Sequence, residues 1–176
     1  MLEKNIYIER DEFVMLNKQG FYDLLDRNNI VYESIEHPAV YTMEEIFSYQ
    51  IPHTEHIVKN LFLRDDKKRN YYLVTIAGTK SVDLRSLSEK IPSRKLSFAS
   101  EKDLLEFLGL EKGHVNPMGV LNNIQKNVTV VFDKDLVGQK IGIHPMENTA
   151  TVFFEFEDVK ELITAQGSNV VMCDVE

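Results

Sequence analysis

Two runs constrain this chain more than any other feature: HIVKNLFLRD, residues 56–65, and NYYLVTIAG, residues 70–78. Both are rich in leucine, β-branched and aromatic side chains, and the charged turn DKKRN joins them, so together they predict a β-hairpin. Lys59 is the anomaly within it. It shares strand parity with Ile57, Leu61 and Leu63, while Val58, Asn60 and Phe62 point the other way, so neither face is a plain solvent face. Two readings are open to such a lysine. It snorkels its amine outward near a strand edge, or it stands at the rim of a pocket and meets a phosphate or a developing negative charge.

The flanking segments add short elements of both kinds. Phe13, Leu16, Phe21, Leu24 and Leu25 recur at helical spacing over residues 11–29, with Gly20 expected to split the run into a lead-in and a helix. IVYESIEH alternates as a strand stopped by Pro38, and Thr42 with Glu45 has the form of a capping box before a helix at 43–49. A helical stretch at 79–89 and a short strand in RKLSFAS follow, and Ser100 with Asp103 caps a helix closed by Gly109. NVTVVFD, KIGIHP and TATVFFEF read as strands, EDVKELITAQG as the final helix and NVVMCDV as a last strand. This order is neither a regular βαβ alternation nor a pure meander. It predicts an α+β fold with a curved or barrel-like, mostly antiparallel or mixed sheet and surrounding helices.

At 176 residues, without a low-complexity linker, residues 1–176 are expected to form a single domain. One cysteine, Cys173, excludes an intramolecular disulfide and a cysteine-based metal cluster, which fits a reducing cytoplasm. No segment approaches the ~18–20 apolar residues of a membrane span, and no signal-peptide run opens the chain. The net charge of −8 argues against non-specific binding to duplex DNA, although a local basic pocket could still hold a nucleic-acid end.

Two further segments carry candidate chemistry. GLEKGHVNPMGV, with Gly113, Pro117 and Gly119, is either routine turn chemistry or a loop whose free amides face a ligand. His144, at the end of KIGIHP, either fixes a turn or positions a substrate hydroxyl or water. His37, His53 and His56 lack metal-binding spacing, so neither a metal nor another cofactor is expected. Dinucleotide, P-loop and nucleophile-elbow signatures are absent, and nothing marks Cys173 as a catalytic thiol.

HIVKNLFLRD, KGHVNPMGVLNN and IHPMENTATVFFEFEDVKELI together resemble the YbaK-type aminoacyl-tRNA editing domains. Within that family the chain is similar to the free-standing prolyl-tRNA editing proteins, which are themselves similar to the insertion domain of bacterial prolyl-tRNA synthetases. The resemblance covers residues 21–167 and implies a deacylase that hydrolyses mischarged tRNA for proline, alanyl-tRNA first. It implies that Lys59 is the signature lysine and that Asn60 helps to hold the terminal adenosine. Gly113, His114, Val115, Asn116 and Pro117 match the loop whose amides face the ester carbonyl, and His144 matches the histidine beside the substrate amino acid. His114 and Asn116 stand where small residues are common in the family, which bears on amino-acid preference.

The physical chemistry is consistent with that implication. Ester hydrolysis passes through an oxyanion that preorganised donors stabilise, and with no protein nucleophile in sight, water attacks directly, assisted by the terminal ribose hydroxyl. The expected partners are the aminoacylated acceptor end of tRNA and prolyl-tRNA synthetase, with Arg64, Lys67, Lys68 and Arg69 available for the RNA backbone. A non-catalytic tRNA-end or aminoacyl-sensing module and a cysteinyl-tRNA deacylase are the alternative readings.

Overall fold

The computed structural model describes residues 14–175, so Phe13 and the start of the expected lead-in lie outside the described residues. Helix α1 spans Lys18–Arg27 and runs through Gly20 without a break. Gly20 lies in the first turn, where its amide donates to the Asn17 side chain at 2.8 Å. A glycine there costs helix propensity but satisfies a free terminal donor, so it does not interrupt the helix. Phe21, Leu24 and Leu25 form the buried face.

The next elements follow the sequence closely. Strand β1 is Glu33–Glu36, and α2, Met43–Ser48, begins at a reciprocal capping box of Thr42 and Glu45. Strands β2, Val58–Asp65, and β3, Tyr71–Ala77, form the hairpin, with Lys59 opposite Ile76. Its charged turn is more than a solvated tip. The buried Asp65 carboxylate accepts the Lys67 amide at 3.1 Å, the Arg69 amide at 2.9 Å and the Asn70 side chain at 2.7 Å.

Helix α3, Leu84–Lys90, starts later than the sequence reading because Asp83 supplies its cap. Then come β4, Leu96–Phe98, and α4, Glu101–Leu108, which has the Ser100–Asp103 capping box and ends at Gly109 with φ +63°. A 3₁₀ turn at Pro117–Asn122 leads into β5, Val128–Asp133, and the chain finishes with β6, Lys140–Ile143, β7, Ala150–Glu155, α5, Phe156–Gln166, and β8, Asn169–Cys173.

The class is α+β, with the strands divided between two sheets that do not close into a barrel. The larger has the order β4-β2-β3-β5-β8, antiparallel through β3 and parallel from β3 to β8; the smaller is antiparallel, β1-β7-β6. One face of the larger sheet packs with α1, α4 and α5 around Phe21, Phe132, Phe154 and Phe156. A parallel bridge between Ile57 and Gly142 ties the sheets together. Only glycine fits there, because a Cβ on Gly142 would lie 2.6 Å from Phe153 Cε1 and 3.2 Å from Ile57 Cγ1.

Candidate functional site

Beyond the Ile57–Gly142 bridge the edges of the two sheets part. Strand β4 covers only Leu63–Asp65 of β2, so the stretch from Val58 to Leu61 has β3 on one side and no strand on the other. Strand β6 is likewise the outer strand of its sheet. Strand periodicity decides what the open edge carries. The Phe62 carbonyl turns away from β3 and accepts the Ala99 amide at 2.9 Å, so Asn60, two residues back, turns its amide and carbonyl the same way.

The gap is a recess of about 280 Å³ lined by residues from both edges, from the segment before α2 and from the 113–115 loop. Val40, Met43, Ile46 and Ile57 give it an apolar wall. The buried Asn148 side chain holds the 40–42 strap in place by donating to the Val40 carbonyl at 2.8 Å, and the Val40 amide donates back to the Asn148 carbonyl at 3.2 Å. The Glu45 carboxylate accepts the Thr42 amide at 3.2 Å, so the same cap that starts α2 also fixes the strap.

Five of the eight residues singled out in the sequence line this recess: Lys59, Asn60, Gly113, Val115 and His144. Lys59 Nζ donates to the Lys80 carbonyl at 2.9 Å, which uses one of three ammonium hydrogens. The Thr75 hydroxyl donates to Asn60 Oδ1 at 2.8 Å, and among the described residues the Asn60 amide nitrogen has no acceptor. Gly113 has φ +85°, and a Cβ there would stand 2.9 Å from the Tyr41 ring, so both conformation and contact favour glycine. Among the described residues the Gly113 and Val115 amides have no hydrogen-bond acceptor, whereas the His114 amide donates to the Glu111 carbonyl at 3.0 Å.

The other three stand elsewhere. His114 lines a second recess with Leu16, Lys18 and Glu147. Asn116 is fully buried and caps the 3₁₀ turn: its Oδ1 accepts the Met118 amide at 2.9 Å, and its Nδ2 donates to the His114 carbonyl at 3.1 Å. Pro117 is the buried first residue of that turn. Asn116 and Pro117 therefore shape the loop from behind.

His144 Nδ1 lies 2.9 Å from the Ala150 carbonyl, an acceptor, so Nδ1 carries the proton and Nε2 presents a lone pair. Burial pushes the His144 pKa down, the nearby His37 and His114 rings add to that, and the Ala150 hydrogen bond opposes it without reversing it. The imidazole is neutral near pH 7.

Thr151 also lines the recess, fully buried, with His37 Nε2 2.8 Å from its hydroxyl and the His37 ring 5.9 Å from that of His144. Sequence reasoning missed the His37–Thr151 pair. The partners are 114 residues apart, and the only local signal was the parity of Thr151 within TATVFFEF. Arg64 pairs with Asp103 at 3.3 Å, and Lys67, Lys68 and Arg69 sit at the far end of the hairpin from the recess. Among the described residues no cluster of His, Cys, Asp or Glu is arranged to hold a metal, and no helix is long and apolar enough to cross a membrane.

The fold is thus α+β, with a small recess between two sheet edges lined by Lys59, Asn60, Gly113, Val115, His144 and Thr151. Residues 37–162 match the family described as the aminoacyl-tRNA editing domain, and the chain belongs to that family. It is 47% identical over 152 residues to the prolyl-tRNA editing protein ProX of Acetoanaerobium sticklandii, covering 86% of this chain and 93% of that one. It is 26% identical to the proline–tRNA ligase of Thermosipho melanesiensis, across 66% of this chain and 20% of the ligase. A crystal structure of a candidate trans-editing enzyme for prolyl tRNA synthetase shares the fold, with a TM-score of 0.64, 22% identity and coverage of 90% of this chain and 94% of that one.

Proposed function

We propose that this chain is a free-standing, cytoplasmic, single-domain aminoacyl-tRNA deacylase that acts in trans on mischarged tRNA for proline, with alanyl-tRNA as its main substrate. The observation that supports the reading is that Lys59, Gly113, Val115 and His144, from separate parts of the sequence, line one recess. Its volume, about 280 Å³, lies at the low end of small-ligand sites, which suits a methyl side chain on a ribose ester better than a larger group. A proline-charging enzyme cannot fully reject alanine, because a smaller side chain forfeits only a few kcal/mol of contact, so a second sieve that excludes by size is needed.

In the mechanism, the ester carbonyl lies toward the Gly113 and Val115 amides, which stabilise the oxyanion as the carbonyl carbon becomes tetrahedral. Lys59 meets a phosphate or ribose oxygen of the terminal nucleotide, and the Asn60 amide nitrogen donates to the adenosine. His144 stands beside the amino acid. Cys173 belongs to the other core cluster, with Leu63 and Val131, and does not line the recess; in this reading water is the nucleophile, with the terminal ribose hydroxyl assisting. The synthetase is the partner that supplies the mischarged tRNA, and the similarity to a proline–tRNA ligase supports that pairing.

The test is a deacylation panel of alanyl-, cysteinyl- and prolyl-tRNA with wild type and Lys59→Ala. Release of alanine, sparing of proline and at least a tenfold loss in Lys59→Ala with unchanged melting are expected. Protection of all three esters would instead identify a binding module, and preferential release of cysteine a cysteinyl-tRNA deacylase. A Lys59→Ala variant that folds and deacylates normally would remove Lys59 from the mechanism.

A further inference from the structure

We propose that the inner end of the recess selects substrates with a free α-amino group, recognised by two neutral acceptors, His144 Nε2 and Thr151 Oγ1. The inference rests on the deacylase reading and adds the chemical feature of the amino acid that the site reads.

The argument follows the protons. The hydrogen on His144 Nδ1 is committed to the Ala150 carbonyl at 2.9 Å, so Nε2 is a lone pair, and among the described residues it has no donor. His37 Nδ1 lies 2.8 Å from the Pro38 carbonyl, an acceptor, so in the neutral ring Nδ1 donates and His37 Nε2 accepts. The Thr151 hydroxyl, 2.8 Å from that Nε2, therefore gives its hydrogen to His37 and has only lone pairs left for the recess. His37 does not line the recess; it is a positioning residue that sets the polarity of Thr151.

The two acceptors are neighbours. His144 directly follows Ile143, the last paired residue of β6, and Thr151 directly precedes its partner Val152 on β7, so both stand at the same end of that pair, and both line the recess. Asn60 on β2 and the 113–115 loop also line the recess, and among the described residues the Asn60 amide nitrogen and the Gly113 and Val115 amides have no acceptor. An aminoacyl ester has the matching asymmetry, with an acceptor, the carbonyl oxygen, and a donor-rich amine on adjacent carbons. An N-acylated ester has a single N–H, joined to a second carbonyl, and would leave buried lone pairs unpaired.

The experiment compares alanyl-tRNA with N-acetylalanyl-tRNA using wild type, Thr151→Val and Thr151→Ser. It also measures binding of the non-hydrolysable amide 3′-alanylamino-3′-deoxyadenosine and its N-acetyl form. Wild type is expected to prefer the free amine at least hundredfold in kcat/KM. Thr151→Val should cut that preference about tenfold by slowing alanyl-tRNA alone, and Thr151→Ser should keep it. A structural role for Thr151 would slow both esters alike and overturns the proposal, as does equal cleavage of the two esters by wild type. The free-amine amide should bind at least tenfold tighter than its acetylated form, and equal or no binding overturns the proposal whatever the ester result. Amine-selective binding without cleavage of any ester would instead sink the deacylase reading and leave the amine site standing.

Discussion

Gly142→Ala tests the geometry on which the recess depends. Gly142 is in an ordinary strand conformation, so alanine brings no backbone strain, and its whole effect is the added methyl. That methyl would lie 2.6 and 2.9 Å from two carbons of the Phe153 ring and 3.2 Å from Ile57 Cγ1. Neither neighbour has room to give: Phe153 is 1% exposed, Ile57 is 4% exposed, and both pack with Val40 and Ile46 behind the strap. Overpacking of this kind costs about 1–3 kcal/mol. For a domain of this size that lowers the melting temperature by roughly 3–10 °C. Because the displaced groups include the apolar wall of the recess, kcat/KM for alanyl-tRNA should fall by about 10- to 100-fold.

Gly138→Ala is the matched control. Its φ is +72° with nothing within 4 Å of the new Cβ, so it meets strain without collision. It should lose about 1 kcal/mol of stability and no activity. Thermal unfolding and initial-rate deacylation read both variants. A Gly142→Ala protein that melts within about 1 °C of wild type, a shift that corresponds to well under 1 kcal/mol, would refute the close approach of the two sheets at Ile57.

Two pH-linked predictions follow from buried groups. Burial tends to raise the Asp65 pKa, but hydrogen bonds from Arg69, Asn70 and Lys67 outweigh it and hold the carboxyl below its ordinary value of 3.8. Its contribution is complete above that value and is lost as pH falls through the lower folded value; Asp65→Asn, expected to cost about 1–3 kcal/mol at neutral pH, should lack this acid limb in urea titrations, and an unchanged limb would count against it. His144 has a folded pKa below its ordinary 6.5, so its neutral acceptor persists as pH drops past 6.5 and kcat/KM should decline only at lower pH. The unfolded chain binds the extra proton first, so stability also falls across that interval, and an activity limb at or above 6.5 would show that burial does not govern His144.

Much of the fold was legible because its signals act over a few residues. The capping boxes at Thr42–Glu45 and Ser100–Asp103, the αL glycine after α4 and the two runs of the hairpin each carry their own geometry. Gly20 misled for the same local reason: propensity marks it as a breaker, whereas its position in the first turn makes its amide a capped donor. In the 113–117 loop the sequence drew attention to five residues but had no means of sorting them. Gly113 and Val115 face the recess, His114 faces another, and Asn116 and Pro117 hold the turn from behind.

The sequence by itself determined the elements, the hairpin and the family-like motifs around Lys59, Asn60 and His144, because these depend on side-chain periodicity and on caps within a turn of helix. Tertiary structure alone decided that the strands split into two sheets, that their edges meet at Ile57 and Gly142 and then part, and that His37 reaches Thr151 across 114 residues. Packing made those choices. Where Phe153 allows no Cβ on the facing strand, two backbones draw together, and the unpaired edges just beyond them enclose a cavity that no stretch of residues encodes alone.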